Sequence, residues 1–104
     1  MKRKSRTVVI IQARMGSSRL PGKVLERIGR FTLLEHVVRR SRLIRSVDEV
    51  VVATSTSDLD DAIESACVSM AIRCVRGSET DVLARYVLAA AETDAETIIR
   101  VTAD

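Results

Sequence analysis

Short apolar runs alternate with longer stretches in which apolar residues recur every three or four positions. "TVVII" (Thr7 to Ile11) is β-branched and apolar on both faces, the pattern of a strand covered on both sides. "EVVVAT" (Glu49 to Thr54) repeats it, and "IRCV" and "TIIRVT" (Thr97 to Thr102) supply a third and a fourth strand. Between them lie three helical patterns. "FTLLEHVVRRSRLI" sets Leu34, Val37, Val38 and Ser41 on one face, with Thr32 and Glu35 at the spacing of a capping box. "STSDLDDAIESACVSM" starts at Ser57 or Asp58 as N-cap and carries Leu59, Ala62, Ile63, Ala66 and Met70 as its apolar stripe. "ETDVLARYVLAAAE" is expected to turn Val82, Leu83, Tyr86, Val87 and Ala90 inward.

The order β-α-β-α-β-α-β predicts an α/β fold with a parallel sheet and right-handed crossovers. Ligands of such sheets bind beyond the carboxyl ends of the strands. Four segments meet there: Ala13 to Lys23, "TSTSD" after the second strand, "RGSETD" after the third and Asp104 after the fourth. Residues 1–6 read as a basic tail and 7–104 as one nucleotide-binding unit.

The segment after the first strand changes the picture most. "ARMGSSRLPGK" holds two glycines, two serines, a proline and three cations. Gly16 and Gly22 let backbone N–H groups approach a ligand, and Ser17 and Ser18 add hydroxyls. Arg14 and Arg19 offer forked donors, and Lys23 a point charge. The spacing is not that of Walker A: five residues separate the glycines, and Val24 stands where Ser or Thr would bind magnesium. It is not GxGxxG either.

Composition sets limits. The chain has 104 residues and a net charge of +3, which suits an anionic ligand but is too mild to imply DNA binding. One Tyr and one Phe leave no platform for base stacking, so nucleic acid is not an expected partner. No apolar stretch reaches the length of a membrane span, and a cytoplasmic protein without membrane association is expected. Cys67 and Cys74 match neither a redox nor a zinc spacing and are expected as free thiols. Asp58, Asp60 and Asp61 read as helix N-terminal acids, His36 as an ordinary helical histidine, and Arg39, Arg40, Arg42 and Arg45 as a solvated face.

"IIQARMGSSRLPGKVL" resembles the signature loop of the sugar cytidylyltransferases, above all the spore-coat polysaccharide biosynthesis type, related to acylneuraminate and Kdo cytidylyltransferases. The likeness continues through "LLEHVVRR", "VDEVVVATSTSDLDDAI", "VRGSETDVLARY" and "IIRVTAD". It implies a three-layer α/β/α Rossmann-like parallel sheet of the nucleotide-diphospho-sugar transferase kind, truncated after the fourth strand. It implies CTP and a sugar as substrates, with a sugar hydroxyl attacking the α-phosphorus and pyrophosphate leaving. By position, Arg14, Ser17, Arg19 and Lys23 would hold the nucleotide, with Arg14 and Lys23 contributing to catalysis. Ala13 and Gly16 would give backbone contacts, and Thr54 and Ser78 would approach the nucleotide. Asp104 would hold Mg2+. The sugar pocket of the family follows the portion matched here, so the 104 residues alone are expected to be inactive and to self-associate, with a homo-oligomer as one form. The alternative is a non-catalytic nucleotide-binding or interaction module.

Overall fold

The computed structural model describes residues 5–16 and 21–103. Its elements run β1 (Thr7–Gln12), β2 (Arg27–Ile28), β3 (Phe31–Thr32), α1 (Leu33–Ser41), β4 (Glu49–Ser55), α2 (Asp61–Ser69), β5 (Arg73–Gly77), α3 (Val82–Thr93) and β6 (Thr97–Thr102). Single 3-10 turns span Lys23–Leu25 and Asp58–Asp60.

Four strands form one parallel sheet in the order β5-β4-β1-β6. β1 lies between β4 (Val8 opposite Glu49) and β6 (Thr7 opposite Thr97). Central strands buried on both faces must be apolar throughout, which explains the unbroken run Val8–Ile11. On one face Val9, Ile11, Val50 and Val52 pack against Leu34 and Val38 of α1 and Ile63 and Cys67 of α2. On the other, Val8, Ile10, Val51, Ala53 and Val75 pack against Tyr86 and Ala89 of α3. These are the three layers expected. The direction of strand addition reverses between β5 and β6, so the switch point lies between β1 and β6. An open sheet of this kind offers a crevice at that point.

The sequence reading needs correction in five places. Phe31 belongs to a short hairpin, not to the helix. β2 and β3 pair antiparallel around Gly29, whose φ of 67° suits a residue without Cβ. Two-residue arms leave no periodic signal. The Phe31 ring is used locally, with the Arg39 guanidinium 3.8 Å from its centroid and His36 edge-on at 5.5 Å. The capping box forms by half: Thr32 Oγ1 accepts from Glu35 N at 3.1 Å, but the Glu35 carboxylate turns to Arg39.

In the second helix, residues 58–60 form the 3-10 turn, so the α-helical phase begins at Asp61. Ile63 and Cys67 are buried, while Leu59 and Ala62 face solvent. In α3 the buried stripe is Arg85, Tyr86, Ala89 and Thr93. Leu83 and Val87, expected inside, are 71% and 60% exposed. Arg6, read as tail, is tied into the sheet. Its guanidinium bonds Thr93 O and Glu49, and its carbonyl accepts from Glu96 N and Thr97 N.

Candidate functional site

The segment that follows β1 crosses the carboxyl edge of the sheet at the switch point. Three hydrogen bonds fix it there. Ala13 N donates to Ala53 O at 3.1 Å, continuing the ladder one residue beyond β1. Met15 N donates to Asp60 Oδ1 at 2.8 Å. Gly22 N donates to Met15 O at 2.8 Å, joining the two ends of the loop. Gly22 sits at φ 76°, which L side chains seldom adopt, and its carbonyl accepts from Leu25 N to start the 3-10 turn carrying Lys23. Gly22→Ala is therefore expected to cost about 1–2 kcal/mol, the penalty of Cβ in the left-handed region. Urea unfolding measures it, and a loss below about 0.3 kcal/mol would contradict the strain argument.

Asp60 is the residue the sequence reading placed wrongly. It is 2% exposed and takes no part in a solvated helix start. One carboxylate oxygen accepts from Met15 N, the other from the Ser55 hydroxyl in a short bond. Ser55 Oγ in turn accepts from Ser57 N at 3.1 Å. A carboxylate inside the site thus joins the loop after β1 to the loop after β4. Asp61, its neighbour, bonds Arg76 Nη1 at 2.7 Å instead.

Arg76 and Arg85 stand at the same edge and differ in how they are used. Every guanidinium nitrogen of Arg76 has an acceptor: Nε on Ser55 O (2.8 Å), Nη2 on Ser57 O (2.7 Å), and Nη1 on Asp61 and Glu64. The Asp61 carboxylate above all raises its pKa from the ordinary value. Arg85 is 1% exposed. Its Nη1 donates to Ser78 O (2.8 Å) and Glu79 O (3.1 Å), while Nε and Nη2 have no partner.

Of the residues expected to bind nucleotide, Ser17, Arg19 and the metal candidate Asp104 lie outside the described residues. Arg14 is half-buried, its Nε enclosed without an acceptor, and its guanidinium lies alongside Gly16, where a Cβ would stand 3.7 Å from Nη2. Lys23 is half-buried at the head of the turn. The Ala13 N–H is committed to Ala53, which leaves its carbonyl for other contacts. Thr54 is fully buried with Oγ1 unpaired, and alternation sets it on the α1/α2 face with Val50 and Val52. Ser78 is exposed, but its hydroxyl accepts from Asp81 N at 3.0 Å and orders the start of α3. Among the described residues no three His, Cys, Asp or Glu side chains converge as a metal site. Among them, too, no helix is long and apolar enough to cross a membrane.

Among the described residues, the buried side-chain polar atoms left without partners belong to Arg14, Thr54 and Arg85. All three residues stand at or beyond the carboxyl ends of the strands. A folded chain rarely leaves such groups unmet, and where it does an absent water or ion is a usual reason. Two of the three are cationic, so the chemistry that fits this edge is an anion with several oxygens.

Comparison with known proteins gives the same edge a context. The sequence model of the family described as cytidylyltransferase matches residues 8–104. The spore coat polysaccharide biosynthesis protein SpsF of Bacillus subtilis (strain 168) is 46% identical over 99 residues, covering 91% of this chain and 41% of that protein. The 3-deoxy-manno-octulosonate cytidylyltransferase of Nitrobacter winogradskyi is 46% identical over 59 residues, covering 57% of this chain and 23% of its own. Among solved structures, a cytidylyltransferase from Leptospira borgpetersenii superposes with a TM-score of 0.90 at 35% identity, over 97% of this chain and 42% of that one. CMP:2-keto-3-deoxy-manno-octonic acid synthetase complexed with CTP superposes with a TM-score of 0.78 at 29% identity, over 96% and 41%. The chain thus spans about two-fifths of the length of the longest-matching of these relatives. With three layers, a switch-point loop and a match running from the first strand to Asp104, the chain belongs to the cytidylyltransferase family.

Proposed function

We propose that this chain forms the nucleotide-binding portion of an enzyme that activates a sugar with CTP, giving a CMP-sugar and pyrophosphate in surface polysaccharide biosynthesis. The observation that carries this reading is the anchored cationic loop after β1. Arg14 and Lys23 flank a segment whose ends are joined to each other and whose first half is tied to Asp60. A solved relative carrying CTP supports the choice of nucleotide, and relatives named for 3-deoxy-manno-octulosonate and for spore coat polysaccharide support a sugar acceptor.

In this reading the fixed loop presents cations to the triphosphate without reorganising during the reaction, which is the main source of electrostatic catalysis. Arg14 contributes a planar fork for phosphate oxygens, and Lys23 a point charge that follows charge moving toward pyrophosphate. Mg2+, proposed at Asp104, would neutralise further phosphate charge when bound. Holding the sugar hydroxyl in line is proposed to fall to the portion of the relatives beyond the match, so the 104 residues bind nucleotide and do not turn it over.

Calorimetric titration with CTP, UTP, ATP and GTP, with and without Mg2+, tests the reading. Selective CTP binding is the expected result. Equal affinity for the four nucleotides would defeat the assignment to CTP. Pyrophosphate release with a panel of sugars tests the second half, and sugar-dependent turnover by these residues alone would refute the division of labour.

A further inference from the structure

Arg85 is unexplained by the packing of α3. A guanidinium in a helix–sheet interface has to meet acceptors for its donors or lose their hydration without return. Two backbone carbonyls, Ser78 O and Glu79 O, take up Nη1 only. Nε and Nη2 remain enclosed and unpaired. The stem passes under Gly77, where a Cβ would lie 3.1 Å from Arg85 Cγ and 3.3 Å from its Cα. β5 thus ends in the residue that leaves room for this side chain. Burial first, and then the charge of Arg14, lower the Arg85 pKa from its ordinary value, while Asp60 opposes them.

Arg76 shows what a purely structural arginine looks like at this edge, with each nitrogen on a fixed protein oxygen. Arg85 is more deeply buried, 1% exposed against 19% for the Arg76 side chain, and has half the acceptors. Arg14 Nε, on the loop opposite, lacks an acceptor as well. Two cations with enclosed donors unmet ask for a ligand that is negative and has several oxygens. A phosphate meets both conditions, since its oxygens accept from a guanidinium fork.

We propose that Arg85 is a second phosphate-binding arginine, whose unmet donors on α3 take a phosphate oxygen of the bound nucleotide. This rests on the reading of the loop as a phosphate cradle. It adds a contact from beside the end of β5, carried on a helix packed against the sheet. Its two carbonyl bonds hold Nη1 and leave the Nε–Nη2 edge as the binding edge.

The test uses the whole chain with 15N-labelled arginine side chains, titrated with inorganic tripolyphosphate and followed through the Nε–H resonances. Arg14 and Arg85 are expected to shift along one saturation curve, with Arg76, whose Nε is held by Ser55 O, unmoved. A silent Arg85 while Arg14 responds overturns the proposal, as does silence of both. Calorimetry supplies the second readout. Arg85→Leu should weaken tripolyphosphate and CTP at least tenfold and leave any cytidine binding unchanged. Equal weakening of cytidine and tripolyphosphate would mean a structural role only and overturn it. Should Arg85→Leu fail to fold, Arg85→Lys keeps a charge without the fork and should still lose severalfold. Tripolyphosphate binding that needs Arg85, without preference for CTP, would uphold this contact and defeat the CTP reading. Selective CTP binding with Arg85 silent would do the reverse.

Discussion

Asp60→Ala is expected to destabilise the chain by about 3 kcal/mol. Two donors now meet its carboxylate, Met15 N at 2.8 Å and the Ser55 hydroxyl. Deleting it leaves both enclosed without an acceptor, and each orphaned group costs roughly 1–3 kcal/mol. Asp60→Asn keeps one acceptor oxygen and should lose about half as much. Asp58→Ala, exposed in the same turn, should stay within about 0.5 kcal/mol of the parent. Urea unfolding of the three variants gives the comparison. An Asp60→Ala loss under 1 kcal/mol would show that the loop is held by something else. CTP affinity should fall in the same variant, because among the described residues the loop then keeps its ladder bond to Ala53 and its own end-to-end bond but loses its tie to Asp60.

Lys23→Ala is expected to weaken CTP by about 1.5–3 kcal/mol, the scale of one hydrogen bond to a charged group. That is roughly 10- to 150-fold in Kd. The loss should shrink at high salt, since Lys23 is half-buried and partly screened. Unfolding stability should change little, for the turn is started by the Gly22 carbonyl and not by the lysine side chain. Parent-like CTP affinity in Lys23→Ala would remove the loop from the nucleotide site.

β1 and β4 were legible because burial on both faces forces continuous apolar runs, and β6, although largely exposed, is observed with its expected limits, Thr97–Thr102. The loop after β1 was legible because glycines and cations gather where an α/β sheet binds ligands. Asp60 was not. A carboxylate beside Asp58 and Asp61 looks like any helix-starting acid, and its role depends on Met15, distant in sequence. Arg85 was hidden for a related reason. Helical phase in α3 reads from the apolar set Val82, Leu83, Tyr86, Val87 and Ala90, whereas the buried stripe keeps Tyr86 and runs through an arginine whose companions are backbone carbonyls. Polar groups inside a fold are specified by partners far along the chain, and periodicity carries no record of them.

The strand order also has a kinetic meaning. β1 precedes the other strands of this sheet along the chain, yet it sits inside the sheet, with Thr7 beside Thr97 and Val8 beside Glu49. Its second edge stays unpaired until nearly all of this sequence has left the ribosome. Closing so long a span costs entropy before any contact repays it, and non-local parallel pairing of this kind is slow. Folding can begin with β4, α2 and β5, which are neighbours along the chain. The crevice beside β1 comes last, because both of its walls must wait for β6.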